Sequence, residues 1–306
     1  GKYIAYYSDA SGEYEVYLLE NKKEATPRQL TRNSSTWKYE AEWSPNSRYL
    51  VYSDRTLKLW LLDVETGQQT AIDQATMGEI RSYNFSPDSQ WITYTKESAN
   101  RNDVIWVYDI TARKATQLTN STFSNYDPVF SNCGKFIYFV SNRDFNLAFS
   151  SFEFDYLYNN ASRLYAVALK NDGTKLTKDK NDLEPVVEIQ KETAAKKETK
   201  GDQKEESTAP KPAKVTIDFA GIDNRVMALP VSSGDYAIVG RVDGGLLYSA
   251  DGKLIRYNES DEKVEEIMEG TEFAHPSSDG KSFIYRSGKN YAIAKVSPGQ
   301  KNGAGK

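Results

Sequence analysis

A recurring turn-and-strand phrase is the feature of this sequence that most restricts its fold. The phrase SPNSRYLVYSD at 44–54 returns as SPDSQWITYTK at 86–96, SNCGKFIYFVSN at 131–142 and SSDGKSFIYRSG at 277–288, and the chain opens inside a further copy, GKYIAYYSD at 1–9. Aligned on the glycine or serine of the turn, the first four copies are 46, 42 and 45 residues apart. A repeat of about 40–50 residues built from short strands predicts a β-propeller.

Each repeat contains four candidate strands. In one repeat, a Ser-Pro-Asp turn leads into the aromatic and β-branched strand WITY at 91–94, which is followed by VIWVYDI at 104–110 and a short closing strand at 116–119. The strand before the turn, at 82–85, is the innermost one. Four antiparallel strands make one blade, so we expect an all-β chain with about five to six blades visible of a six- or seven-bladed ring.

A lysine- and glutamate-rich stretch interrupts the predicted blades. Residues 190–214 contain seven Lys, five acidic residues and no aromatic residue. Such a composition cannot bury enough apolar surface to offset the entropy lost on ordering. We therefore expect propeller blades over 1–189, a disordered insert at 190–214 within a blade, the remaining blades over 215–296, and a tail at 297–306 that leads toward a downstream domain.

The two ends of the chain supply different parts of a blade. The first unit has the second, third and fourth strands, whereas the last unit has the first, second and third. These sets overlap instead of complementing each other. We therefore expect an incomplete first blade and a longer parent array with further blades upstream.

Net charge, cysteine content and hydropathy exclude several functions. A formal charge of −4 and a pI of about 5.4 give no basic field to hold nucleic acid. The single cysteine, Cys133, excludes an internal disulfide, and no run reaches the ~18 apolar residues of a membrane helix. We expect a soluble bacterial protein, either periplasmic or cytoplasmic, because a sequence that starts within a repeat does not show whether a signal peptide preceded it.

Residues that usually carry catalysis or bind metals are scarce. His275 is the only histidine and precedes Pro276, so we interpret it as a rim or turn residue. A serine-type mechanism needs a nucleophile and a carboxylate near such a histidine, and one His with one Cys cannot make an ordinary zinc site. Cys133 aligns with the turn residues Asn46 and Asp88, which predicts a free surface thiol. We predict no catalytic, cofactor-binding or metal-binding residue in this chain.

Several polar turns are open to a second interpretation. The Asp-rich hairpins at 8–12 and 53–55 could bind calcium, but they lack the alternating carboxylates of a calcium loop, which favours ordinary turn chemistry. The Asp-Gly-Gly stretch at 243–245 is interpreted as a hairpin turn, and no phosphate-binding loop or Gly-x-Ser-x-Gly elbow occurs. Four asparagines begin N-x-S/T sequons: Asn33, Asn120, Asn160 and Asn258.

The hairpins and turns resemble the propeller repeats of TolB-type translocation proteins and of propeller-bearing peptidases. Two stretches narrow the resemblance: SNRDFN at 141–146, which leads into SSFEFDYLYNNASRLYAVAL at 150–169, and IDFAGIDNRVMALPV at 217–231. Together they resemble the second, seven-bladed propeller of tricorn-type serine proteases, over nearly the whole chain. In that family a PDZ domain and serine-protease domains follow the propeller, and none of the family's catalytic residues has a counterpart here.

The resemblance implies a non-catalytic module of a serine peptidase, whose axial channel guides oligopeptides to or from the catalytic domains. It implies oligopeptides and downstream PDZ and protease domains as partners, and it allows a homo-oligomer. Two alternatives stay open: a stand-alone, TolB-like interaction propeller, and the propeller of a prolyl-oligopeptidase-like enzyme. A PDZ-like segment, a stop codon or a nucleophile elbow after Lys306 separates the three.

Overall fold

Short antiparallel sheets make up nearly all of the regular structure. The computed structural model describes residues 2–144, 147–152, 154–158, 160–177 and 212–303. Within these ranges the strands form six blades and a separate two-stranded hairpin, the only helix is the 3-10 turn Ile222–Arg225, and no helix could span a membrane. The predicted all-β propeller is confirmed, with six blades. Of the predicted insert at 190–214, residues 190–211 lie outside the described residues.

The first three blades follow the chain in order. Blade 1 consists of β1 (Tyr3–Ser8), β2 (Glu15–Glu20) and β3 (Arg28–Gln29). Blade 2 consists of β4 (Glu42–Trp43), β5 (Tyr49–Ser53), β6 (Lys58–Asp63) and β7 (Gln69–Gln74). Blade 3 consists of β8 (Arg81–Phe85), β9 (Trp91–Glu97), β10 (Asp103–Asp109) and β11 (Lys114–Gln117). Strands that are consecutive along the chain are neighbours in each sheet.

The last three blades include one long excursion. Blade 4 begins with β12 (Asn125–Phe130) and β13 (Phe136–Ser141), leaves for the separate hairpin of β14 (Leu147–Ser150) and β15 (Asp155–Tyr158), and ends with β16 (Arg163–Ala168) and β17 (Val226–Ala228). Blade 5 consists of β18 (Ala237–Val242), β19 (Gly245–Ala250), β20 (Lys253–Asn258) and β21 (Lys263–Glu269). Blade 6 consists of β22 (Phe273–Pro276), β23 (Ser282–Ser287) and β24 (Asn290–Lys295).

The repeated turn folds because its serine bonds both to a nearby polar side chain and to the strand that follows. In blade 3, the Ser86 hydroxyl donates to Asp88 Oδ1 at 2.6 Å and accepts the Trp91 amide at 2.9 Å. Ser44 and Ser277 make the equivalent bonds in blades 2 and 6. In the blades that carry it, the turn therefore starts the second strand at a fixed register.

Five apolar layers form the core, one between each pair of consecutive blades. In the layer between blades 3 and 4, Ile105 and Phe130 are fully buried. Val215 returns to this layer after the long excursion of blade 4, and its amide donates to Asp88 Oδ2 at 2.8 Å. Each large apolar side chain buried in these layers contributes about 1.5–3 kcal/mol, so packing between blades holds the ring together.

Three parts of the structure leave large apolar side chains in solvent. Blade 1 exposes Ile4, and blade 6 exposes Tyr291 and Ile293. The β14–β15 hairpin exposes Phe152 and Phe154, which are 91% and 80% accessible. None of these side chains belongs to an apolar layer, so the propeller core does not depend on them.

Candidate functional site: the axial cavity

The innermost strands of five blades place equivalent residues at one level around the axis. Their ladders share a register, because Trp43 pairs with Leu50 and Phe85 with Ile92 across the repeated turn. On each innermost strand, we consider the residue just before this pair. These five residues form a set that we call the collar: Glu42, Asn84, Val129, Arg241 and His275. All five line the same cavity.

This cavity has a volume of about 760 Å³. Every blade contributes to its wall, from blade 1 to blade 6 in turn: Tyr7, Glu42, Tyr83, Asp127, Arg241 and His275. A cavity walled by all six blades is the central opening of the propeller. Its size lies within the range of about 300–1,000 Å³ that is typical of ligand pockets.

Two β-bulges aim polar side chains into the cavity. The ladders of blades 3 and 4 each shift register just before the collar, where Ser82 and Asp127 take left-handed φ values of 53° and 52°. The Ser82 hydroxyl donates to Asp127 Oδ1 at 2.6 Å. Glu40 occupies the corresponding place in blade 2 and also lines the cavity. We call Glu40, Ser82 and Asp127 the acidic level, which lies next to the collar.

Arg241 is the only arginine or lysine among the described residues that line the cavity. Its Nη1 donates to Asn84 Oδ1 at 3.1 Å and to the Phe85 carbonyl, so the side chain reaches from blade 5 past blade 4 to blade 3. Within the described ranges it forms no ion pair with a carboxylate. Burial lowers the pKa of Arg241 to about 10, while the negative charge of Glu42 acts in the opposite direction. The guanidinium is therefore charged at neutral pH in an environment that solvates it poorly.

Two carboxyl groups of the cavity resist ionisation because they are buried. Burial raises the pKa of Glu42, against the opposing positive charges of His275 and Arg241. Burial likewise raises the pKa of Asp127, against the hydrogen bond from Ser82. Both groups hold their protons to a higher pH than they would in water. The cavity thus brings groups of both charge signs together in a desolvated space.

Two tyrosine hydroxyls fix the innermost strand of blade 2. Tyr7 donates to the Tyr39 carbonyl at 2.6 Å, and Tyr83 donates to the Glu40 carbonyl. Burial raises the pKa of Tyr83 to about 12, so its hydroxyl remains a donor at physiological pH. These bonds hold the chain next to the two-residue strand β4 and keep Glu40 at the cavity wall.

His275 is a cavity residue, so its interpretation as a rim or turn residue needs correction. It lies on β22, where it pairs with Ile284, and it faces the cavity. Pro276 is the last residue of β22 and still pairs with Phe283, because the innermost strand has a free edge on the axis side where a missing N–H is tolerated. In the part of the chain that the structure describes, no hydrogen bond joins His275 to a serine or a carboxylate. Among the described residues, His275 is therefore not hydrogen-bonded in a way that would activate a serine hydroxyl.

Cys133 lies in the repeated turn, as its alignment predicted, but its thiol is half-buried. Its Sγ lies 3.2 Å from Ser131 Oγ, in the place that Asp88 takes in blade 3. Burial raises the pKa of the thiol, and the negative charge of Glu259 acts in the same direction. The thiol is free, as predicted, but it lies only partly at the surface because this turn packs against the layer between blades 4 and 5. A thiol with a raised pKa is a poor nucleophile.

The polar turns at 53–55 and 243–245 have structural roles. Asp54 Oδ1 accepts the amide and the hydroxyl of Thr56, and its Oδ2 accepts the Trp60 indole N–H at 2.7 Å. Val242 pairs with Gly245 across a two-residue loop, which confirms the predicted hairpin turn. Among the residues with described positions, no group of three or more His, Cys, Asp or Glu side chains could hold a metal ion.

Sequence reasoning did not single out Glu42, Asn84 or Arg241. The sequence nevertheless contains a signal for these residues. Two positions before the turn serine, or before Asp243 in blade 5, the innermost strands carry Glu, Asn, Val, Arg and His. Charge and size vary in this one column, whereas the strand that follows the turn keeps its aromatic and β-branched pattern in most repeats. Such a column marks side chains that the shared framework does not require.

Residues 1–297 match the tricorn protease second beta propeller domain family. The chain belongs to this family. The tricorn protease of Thermoplasma volcanium is 25% identical over 285 residues, which cover 85% of this chain and 25% of that protein. Tricorn protease homolog 1 of Streptomyces coelicolor is 21% identical over 279 residues, with coverage of 85% and 25%. The chain therefore spans about a quarter of the length of these curated relatives.

Solved structures agree on the fold. A crystal structure of the tricorn protease matches with a TM-score of 0.75 at 16% identity, covering 96% of this chain and 28% of that one. TolB from Acinetobacter baumannii matches with a TM-score of 0.56 at 16% identity, covering 96% of this chain and 61% of that one. Identities this low show a shared propeller fold, and the family match confirms the resemblance drawn from the sequence.

Proposed function

We propose that this chain is a non-catalytic propeller module of a tricorn-like serine peptidase, and that extended oligopeptides pass through its axial cavity to or from protease domains. The observation that carries the proposal is the cavity of about 760 Å³, walled by all six blades. An extended chain is the slimmest form of a polypeptide, whereas even a 100-residue folded domain has a radius of gyration of about 13 Å. The opening would therefore sort substrates by shape.

The cavity wall suits passage better than tight retention. The innermost strands present free edges, whose backbone groups can bond to an extended peptide of any sequence. The rings of Tyr6, Trp43 and Phe273 add apolar contact surface. Contacts of these two kinds discriminate little between side chains. Peptides of many sequences should therefore bind weakly and exchange quickly.

A stand-alone interaction propeller is the second candidate. This chain covers 61% of the TolB structure, compared with 28% of the tricorn structure. In that case the axial cavity would hold a segment of a partner protein, and no protease domain would belong to the polypeptide. The two candidates share the cavity and differ in whether peptides leave it on the way to hydrolysis.

Two Glu-to-Trp variants of blade 2 test passage in a polypeptide that joins this propeller to a protease domain. Glu40→Trp adds a large ring at the cavity wall, whereas Glu65→Trp adds the same ring at an exposed turn between β6 and β7. The rates of hydrolysis of fluorogenic oligopeptides are compared. We expect Glu40→Trp to slow hydrolysis roughly tenfold, the equivalent of about 1.4 kcal/mol of added barrier, and Glu65→Trp to leave the rate unchanged.

Equal rates for Glu40→Trp and the parent polypeptide would contradict passage through the cavity. Equal losses for both variants would point to a defect of folding in blade 2, which thermal unfolding would reveal independently. A full-length polypeptide that is inert on every peptide would favour the interaction propeller.

A further inference from the structure

The collar contains a guanidinium group without a carboxylate partner. Arg241 bonds through Nη1 to two neutral acceptors, Asn84 Oδ1 and the Phe85 carbonyl. Its Nε and Nη2 make no hydrogen bond to any residue that the structure describes. A guanidinium fork matches a carboxylate through two parallel N–H···O bonds, and buried charges are normally paired. Nε and Nη2 of Arg241 are therefore available to bind a carboxylate.

Glu42 is the carboxyl group whose charge acts on Arg241, but it does not pair with it. Its charge acts on the pKa of Arg241, yet the two side chains form no ion pair, and burial keeps the pKa of Glu42 raised. His275, which also faces the cavity, offers an imidazole N–H as a second donor. The collar thus combines two donors with one buried carboxyl group that does not pair with them.

We propose that the collar is a carboxylate-binding site for a peptide, with Arg241 as the principal donor, His275 as a second donor and Glu42 as the competing charge. This inference rests on the proposed passage of peptides through the cavity. The bound carboxylate is either the C-terminus of an extended peptide or an acidic side chain, which present the same chemistry. The adjacent acidic level, with Glu40 and Asp127, repels the same carboxylate and confines it to the collar.

Isothermal titration calorimetry on the 306-residue chain tests the site with one N-acetylated pentapeptide of neutral side chains. The peptide is used as the free C-terminal acid, as the C-terminal amide, and as the amide with one internal glutamate. We expect the best carboxylate-bearing form to bind about tenfold tighter than the neutral amide, the equivalent of one charge-assisted hydrogen bond. If only the free acid binds more tightly than the amide, the site binds a C-terminus. If only the glutamate form does, the site binds an acidic side chain. Equal affinities for all three forms would overturn the proposal.

Two collar variants should act in opposite directions. Arg241→Gln removes the donor charge, so the carboxylate-bearing peptide should lose its advantage over the amide. Glu42→Gln removes the competing charge, so the same peptide should bind a few-fold tighter while the neutral amide is unaffected. Circular dichroism checks the fold of each variant, and Glu42→Gln keeps the proposal testable even if Arg241→Gln unfolds. An undiminished carboxylate preference in Arg241→Gln, or weaker carboxylate binding in Glu42→Gln, would overturn it.

The calorimetric experiment is independent of proteolysis. It uses the propeller chain alone, so a negative result there leaves the Glu40→Trp test of passage intact. Conversely, carboxylate binding at the collar can be measured even if Glu40→Trp fails to slow hydrolysis. The two proposals can therefore fail separately.

Discussion

Lys38 and Glu15 form a buried ion pair where blade 1 meets blade 2. Their side chains are only 5% and 3% exposed, and Lys38 Nζ lies 3.4 Å from Glu15 Oε2. The Lys38 ammonium also donates to the Tyr14 carbonyl at 2.6 Å and to the Ser34 hydroxyl. Glu15 accepts the Thr31 hydroxyl at 2.5 Å and the Ser34 amide at 2.7 Å. We expect the loss of one charge from this network to destabilise the propeller strongly.

Lys38→Met preserves much of the side-chain volume but leaves the Glu15 carboxylate buried without a cation. Breaking a buried pair from one side costs about 3–5 kcal/mol. Because Glu15 keeps its two hydrogen bonds, we expect a loss near the lower end, about 3 kcal/mol. The double variant Glu15→Gln, Lys38→Met removes both charges, so it should be more stable than Lys38→Met alone.

Unfolding in guanidinium chloride, followed by tryptophan fluorescence, gives the free energy of unfolding of each variant. Lys22→Met is the control, because Lys22 pairs with Glu20 at the surface with side chains 65% and 48% exposed. We expect no measurable loss for this control. The reasoning is refuted if Lys38→Met is as stable as Lys22→Met, or if the double variant is less stable than Lys38→Met.

Three further predictions concern a cavity charge, the outward face of blade 6 and catalysis. Burial raises the folded-state pKa of Asp127, so stability is lost as pH rises through that pKa. Asp127→Asn should therefore raise Tm at about pH 7.5 and give no gain near pH 4, whereas an equal gain at both would contradict the burial argument. Ile293→Lys, at a 60% exposed position, should change the free energy of unfolding by less than about 0.5 kcal/mol. Ala294→Lys, in the layer between blades 5 and 6, should destabilise the propeller strongly. Equal chemical-denaturation midpoints for Ile293→Lys and Ala294→Lys would contradict this argument from exposure. The purified 306-residue chain should hydrolyse no member of a fluorogenic peptide library, and hydrolysis by this chain alone would refute its non-catalytic assignment.

The blades could be predicted from the sequence because their determinants are local. A turn such as Ser86-Pro87-Asp88 bonds to its own next strand, and that strand is rich in aromatic and β-branched residues in most repeats. Four such strands in succession define a blade without knowledge of its neighbours. The same local logic identified the hairpin loop at 243–245.

The collar was not predicted as a site, because its members come from different blades. Glu42, Arg241 and His275 lie far apart in the sequence, and only the curved arrangement of the blades brings them to one cavity. Pro276 also made the interpretation of His275 misleading. A His-Pro pair usually marks a turn, whereas here it lies on a strand with a free edge. The burial of Cys133 likewise depends on the neighbouring blade and not on its own turn.

Photo-crosslinking at position 40 tests most directly whether the axial cavity admits peptides. Glu40 at the cavity wall is replaced by the photoreactive residue p-benzoylphenylalanine, and Glu65 at the exposed turn is replaced in a matched variant. Each chain is irradiated with an unstructured oligopeptide and, separately, with a small folded domain. Axial passage predicts that the oligopeptide crosslinks at position 40 and not at position 65, and that the folded domain does not crosslink at position 40. Equal labelling of the two positions by the oligopeptide, or labelling of position 40 by the folded domain, would contradict the account.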